Sequence, residues 1–171
     1  VCDRPSVAIR RHRFMKVTLD DMVRLGAIDA GLREFLAAAV RARKQIIVAG
    51  ATGAGKTTML RALAAEIPSD ERIVTIETEL ELGLDRFPDL HPDVVALEAR
   101  AANVEGVGQV TPADLVRMSL RMNPDRVIVG EVRGEEVIPM LNAMSQGNDG
   151  SMCTLHADSS GTVFNKLGLY A

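Results

Sequence analysis

The stretch that most constrains this 171-residue chain is Gly50-Ala51-Thr52-Gly53-Ala54-Gly55-Lys56-Thr57, a G-x-x-x-x-G-K-[ST] run. Small residues at these positions let successive backbone N–H groups wrap an anion at a helix N-terminus, where the peptide dipoles also favour negative charge. Such a loop needs a strand feeding it and a helix leaving it. The flanks supply both, because residues 45–49 form a short β-rich apolar run and Met59, Leu60 and Leu63 continue as a helix that Pro68 closes. Residues 50–58 are therefore expected to cradle the phosphates of a nucleoside triphosphate with Mg2+, ATP foremost. In that reading Lys56 reaches the β- and γ-phosphates, the Thr57 hydroxyl ligates magnesium and Thr58 faces the α-phosphate.

The rest of the chain reads as strands alternating with helices. Thr18 and Asp21 frame a capped helix that ends at Gly26, and a second helix follows Asp29 with Leu32, Phe35, Leu36, Ala39 and Val40 on one face. Strands are expected at 72–77, 94–101, 127–129 and 151–155, with irregular chain over 78–92. Thr111-Pro112-Ala113-Asp114 starts a helix running to about Arg121, a further helix covers about 135–145, and Val163, Phe164, Leu167 and Tyr170 give a last helical pattern. The alternation predicts an α/β fold with a mostly parallel sheet covered on both faces, in one domain spanning 1–171.

Composition excludes some classes. Lys+Arg 20 against Asp+Glu 23 leaves a net charge of -3, so no global basic field points to nucleic acid or a membrane surface. Arg10, Arg11, His12, Arg13 and Lys16 are the best candidate for a local basic patch, readable equally as a solvated face or a contact surface. Cys2 and Cys153 sit in no metal-ligand spacing and are expected as reduced thiols in a cytoplasmic protein, with Cys153 in the core. No run approaches the ~20 apolar residues of a membrane span. The start at Val1 and the stop at Ala171, straight after a helical pattern, suggest an excised fragment.

Three acidic or basic features complete the candidate site. Arg126-Val127-Ile128-Val129-Gly130-Glu131 is an apolar strand delivering a carboxylate to the sheet edge about 75 residues after the loop, placed to act near magnesium and water. Glu77, Glu79 and Glu81 follow another strand; one of them is placed to orient or deprotonate water, although a solvated acidic loop has the same appearance. His156 ends the last strand, where active-site groups of open α/β sheets gather and where purely structural histidines also occur.

These stretches, with Leu97-Glu98-Ala99-Arg100, Asn103-Val104-Glu105-Gly106, Asp114-Leu115-Val116-Arg117 and Leu120-Arg121-Met122-Asn123-Pro124-Asp125, resemble the ATPases of the type II/type IV secretion superfamily. The likeness is strongest to the Tad/CpaF branch and runs from about Ile9 to Ala171. It implies a RecA-like P-loop core of a homo-hexameric ring that powers pilus assembly or protein export. Such a ring would sit in the cytoplasm against the inner membrane, bound there through platform partners and without direct nucleic-acid contact. By the family's motifs Glu77 and Glu81 match the acidic box, Glu131 the Walker B glutamate and magnesium neighbour, and His156 the second histidine of the histidine box. Arg100, Arg117, Arg121 and Arg133 fall where family arginines act on phosphates or on neighbouring subunits. Two residues depart from the pattern: Thr78 stands where the acidic box has aspartate, and Asn148 where the histidine box has its first histidine. The departures keep open a nucleotide-binding structural subunit with weak turnover, and the RecA-like resemblance keeps open a conjugal DNA motor.

Overall fold

The computed structural model describes residues 4, 7, 16–145 and 147–170. Arg10, Arg11, His12, Arg13 and Cys2 lie outside the described residues, while Lys16 is exposed with its ammonium 5.9 Å from the Phe87 ring centroid. Two helices come first, α1 (Leu19–Arg24) and α2 (Ala30–Arg41). The Thr18 hydroxyl accepts from Asp21 N–H and the Asp21 carboxylate accepts from Thr18 N–H, so the capping box satisfies two amides that the first turn would orphan. Then follow β1 (Ile46–Gly50), α3 (Lys56–Ala64), β2 (Ile73–Glu77), β3 (Val94–Glu98), α4 (Pro112–Ser119), β4 (Arg126–Val132), α5 (Val137–Ser145), β5 (Met152–His156) and α6 (Ser160–Tyr170). Thr111 and Asp114 form the second capping box, with Pro112 at the start of α4 where its missing N–H is no loss.

The five strands form one parallel sheet in the order β1-β5-β4-β2-β3. Successive side chains alternate faces, which divides the core in two. Ile73, Ile128 and Met152 pack with Leu19, Val40, Leu60 and Leu63 on the α1–α3 face. Val74, Val127, Val129 and Cys153 pack with Val116, Met140 and Val163 on the α4–α6 face. The sheet is thus covered on both sides, as the alternation predicts. Because every strand is parallel, all five carboxyl ends share one edge, and the loops leaving them converge there.

Three local expectations shift. Leu32 is 43% and Phe35 67% exposed; the inward stripe of α2 is instead Leu36, Ala37 and Val40, with Arg33 beside it bonded to Asp20. β3 stops at Glu98, after which Arg100 pairs antiparallel with Val110 across an exposed loop. α5 begins at Val137 because Glu136 turns back to accept the N–H groups of Arg133 and Gly134. Cys153 is in the core, as expected, and burial pushes its thiol up to about 12. Among the described residues no helix is long and apolar enough to cross a membrane.

Candidate active site

A cleft of about 620 Å³ opens at the carboxyl edge of the sheet, between the 50–58 loop, the ends of β4 and β5, and the acidic turn after β2. The loop has the backbone that its sequence requires. Gly53 and Gly55 adopt φ of +76° and +87°, and Gly55 caps α3 without any side-chain bond, so the first amides of that helix face the cleft mouth uncapped. A Cβ on Gly50 would lie 3.1 Å from Ala54 Cβ, which explains the first glycine by packing.

Lys56 leads α3. Its Nζ donates to the Ala51 carbonyl at 3.0 Å and sits 3.2 Å from His156 Nδ1. His156 in turn meets Glu131 Oε1 through Nε2. With the lysine donating to Nδ1, the ring hydrogen belongs on Nε2, directed at the carboxylate. The other oxygen of Glu131 pairs with Arg133. One chain of contacts therefore runs Lys56–His156–Glu131–Arg133 along the cleft.

Two features aim Glu131 that its sequence context does not announce. β4 carries an irregularity between Val129 and Val132, where three steps along β4 match two along β5, and Gly130 and Glu131 occupy that bulge. The Gly130 carbonyl freed there accepts from the Thr154 hydroxyl at 2.6 Å. Glycine at 130 also leaves room for Glu77, because a Cβ there would lie 2.9 Å from Glu77 Cγ on the neighbouring strand and one of the two would have to shift.

Glu77 ends β2 and is 4% exposed. Its Oε2 accepts from the N–H groups of Glu81 (2.9 Å) and Leu82 (2.8 Å), while Oε1 is buried without a hydrogen-bond partner. Burial pushes its carboxyl above the usual range; the two backbone bonds and the Arg61 charge pull the other way. Thr78, Glu79 and Glu81 line the same cleft.

The predicted residues thus divide. The loop residues Thr52, Gly53, Gly55, Lys56, Thr57 and Thr58 meet Glu77, Glu81, Glu131, Arg133 and His156 around one cavity. Arg100, Arg117 and Arg121 do not line it. Arg100 is exposed and donates to the Gly108 carbonyl at 2.7 Å, Arg117 pairs loosely with Asp114, and Arg121 is exposed after α4. Asn148 is also elsewhere, near the start of β5, where its amide holds the Ala143 carbonyl at 3.2 Å.

A parallel sheet whose P-loop strand is separated from its acidic strand by one inserted strand, with the cleft at their carboxyl ends, defines a RecA-like P-loop nucleotide-binding fold. The family model described as "Type II/IV secretion system protein" matches residues 1–169, and the chain belongs to that family. A Mycobacterium tuberculosis protein, provisionally named for conjugal transfer, is 46% identical over 154 residues, covering 88% of this chain and 42% of its own length. The type IV secretion system protein VirB11 of Brucella suis is 37% identical over 187 residues, covering 96% of this chain and 51% of its own. The crystal structure of the Brucella suis VirB11 ATPase in complex with sulphate superposes with a TM-score of 0.72 at 34% identity, over 94% of this chain and 51% of that one. The chain spans about half the length, or less, of the curated relatives it matches.

Proposed function

We propose that the cleft binds ATP with magnesium and hydrolyses it, as the motor core of a secretion ATPase. The observation that carries this reading is the meeting of Lys56, Glu131, His156 and Glu77, from four separate elements, around one cleft of about 620 Å³ at the uncapped start of α3. The cation of Lys56 and the helix amides would hold the phosphates. Glu131, oriented by His156 and Arg133, would accept a proton from the attacking water or order it, with Glu77 and Glu81 as the second acidic pair. The naming of the superposed VirB11 as an ATPase supports the reading.

The donor set fits magnesium brought in with a nucleotide. Among the described residues no cluster of three His, Cys, Asp or Glu side chains could cage a metal, whereas Thr57 and Glu131 offer hard oxygens beside the phosphate site. Thr57 would hold the ion directly and Glu131 through water; when bound, it neutralises charge on the β- and γ-oxygens.

The wider assignment is a homo-hexameric ring at the cytoplasmic face of the inner membrane, engaged with platform proteins and coupling hydrolysis to pilus assembly or export. Exposed Arg100, Arg117 and Arg121 fit a role toward a neighbour's site rather than their own. Placement in the Tad/CpaF branch rests on the motif likeness. A second reading, a motor for conjugal DNA, is favoured by the name of the mycobacterial relative.

Phosphate release measured across protein concentrations, alongside sedimentation velocity, tests the proposal. An arginine supplied by a neighbour is worth about 10³–10⁵ in rate, so turnover per chain should climb steeply as chains associate. Turnover independent of association would contradict the roles of the three arginines; ATP binding without turnover in an assembled ring would favour a structural subunit; stimulation by DNA would favour the conjugal motor.

A further inference from the structure

Residues 81–82 are gripped from two sides. On one side Glu77 accepts both of their N–H groups. On the other, the Arg61 guanidinium donates Nε to the Leu82 carbonyl at 3.0 Å and Nη2 to the Glu81 carbonyl. Arg61 is 5% exposed, an unusual position for a guanidinium, and its planar fork offers two donors in fixed relation to each other. It also lies on α3, five residues beyond Lys56, about 7.5 Å along the helix axis. The helix that begins at the phosphate loop therefore carries, one and a half turns later, the group that fixes the acidic turn.

We propose that Arg61 is a positioning residue of the cleft, holding the 81–82 backbone so that Glu77 and Glu81 keep a fixed place relative to the phosphate loop. The proposal rests on the ATPase reading for its kinetic consequence. Arg61 itself touches no reacting atom. Beside its charge, which favours the ionised Glu77, it acts through the carbonyls of the same two residues whose N–H groups Glu77 accepts, so the amides of Glu81 and Leu82 report the positioning directly. Any displacement of α3 by phosphates at its N-terminus would be transmitted along one rigid element to the acidic turn.

The test compares the unsubstituted protein with Arg61→Met, which keeps stem length and apolar packing but removes the donors, and Arg61→Lys, which retains the charge and part of the donor capacity. Amide hydrogen exchange is read at Glu81 and Leu82 against β1 and β4, together with kcat and KM for ATP. The proposal expects protection of the Glu81 and Leu82 amides to fall at least about tenfold in Arg61→Met while the strands stay protected. It also expects kcat to fall about tenfold or more with KM within about twofold, and partial recovery of both readouts in Arg61→Lys. Unchanged exchange at those two amides would overturn it. So would a uniform loss of protection through α3 and the strands, which marks a general packing role. If the unsubstituted protein shows no turnover even where its chains associate, the ATPase reading fails on its own, and the exchange comparison still decides whether Arg61 positions the turn.

Discussion

Lys56 and His156, one hundred residues apart in sequence, meet with Nζ 3.2 Å from Nδ1. The contact joins the P-loop helix to the end of β5, the strand inserted between β1 and β4. Through His156 the same contact reaches Glu131, so the loop lysine and the acid of β4 share one histidine. A nucleotide that draws Lys56 toward its phosphates must compete with His156 and with the Ala51 carbonyl.

Lys56→Ala removes the cation from this chain of contacts. A charge-assisted contact is worth roughly 1.5–3 kcal/mol, so ATP affinity should fall about tenfold or more by calorimetry. Equal affinities would contradict the assignment of the loop.

Gly130→Ala should act through Glu77. The added Cβ would sit 2.9 Å from Glu77 Cγ, so Glu77 or the bulge must move. Overpacking of this kind costs about 1–3 kcal/mol. Phosphate release should fall several-fold while ATP affinity stays within about threefold, and a variant with normal turnover would show that the place of Glu77 does not matter.

Glu77 also gives stability a pH dependence. Its folded-state carboxyl is raised above the ordinary 4.5, chiefly by burial. At low pH the folded and unfolded chains are both protonated there; as pH rises past the ordinary value the unfolded chain ionises first, and stability falls until the folded carboxyl has ionised as well. Glu77→Gln has no such loss. Urea melts should therefore show the variant gaining on the parent protein as pH rises above the ordinary carboxyl value of 4.5, with lower turnover. A gain in the opposite direction would contradict the buried, raised carboxyl.

At the other end of β4, Arg126 is fully buried and grips Glu71 through two nitrogens while also donating to the Val40 and Gly150 carbonyls. Arg126→Ala takes both guanidinium bonds from Glu71, which among the described residues keeps only Arg43, and a donor from each of the Val40 and Gly150 carbonyls; it should cost about 3 kcal/mol in urea unfolding, with ATP affinity per folded chain unchanged. A loss under 1 kcal/mol would show the cluster to be solvated.

Local chemistry was legible wherever neighbours in sequence are neighbours in space. Thr18 with Asp21, Thr111 with Asp114, and the glycines of the loop behave as their spacing predicts. The face of α2 was not legible, because an alanine-rich helix offers several apolar stripes and its packing partners decide between them, leaving Leu32 and Phe35 outside. Within the site, Glu77, Glu131 and His156 stand out as polar residues at strand ends. Arg61, Gly130 and Thr154 do not, since their roles arise from β2, β4, β5 and α3 lying side by side. Asn148, expected at a motif position, contacts the Ala143 carbonyl, away from the cleft.

Under the proposed function, Glu131 serves chemistry on a nucleotide held by the P-loop. Single-turnover hydrolysis, with protein in excess over radiolabelled ATP and magnesium, tests it without requiring product release. Glu131→Gln keeps the side chain's shape and its bond to His156 but deletes the charge; ATP should still bind within about threefold of the unsubstituted protein while the rate of γ-phosphate cleavage falls about 10²-fold or more. Cleavage at the unsubstituted rate, with binding intact, would contradict the account and move the essential carboxylate to Glu77 or Glu81.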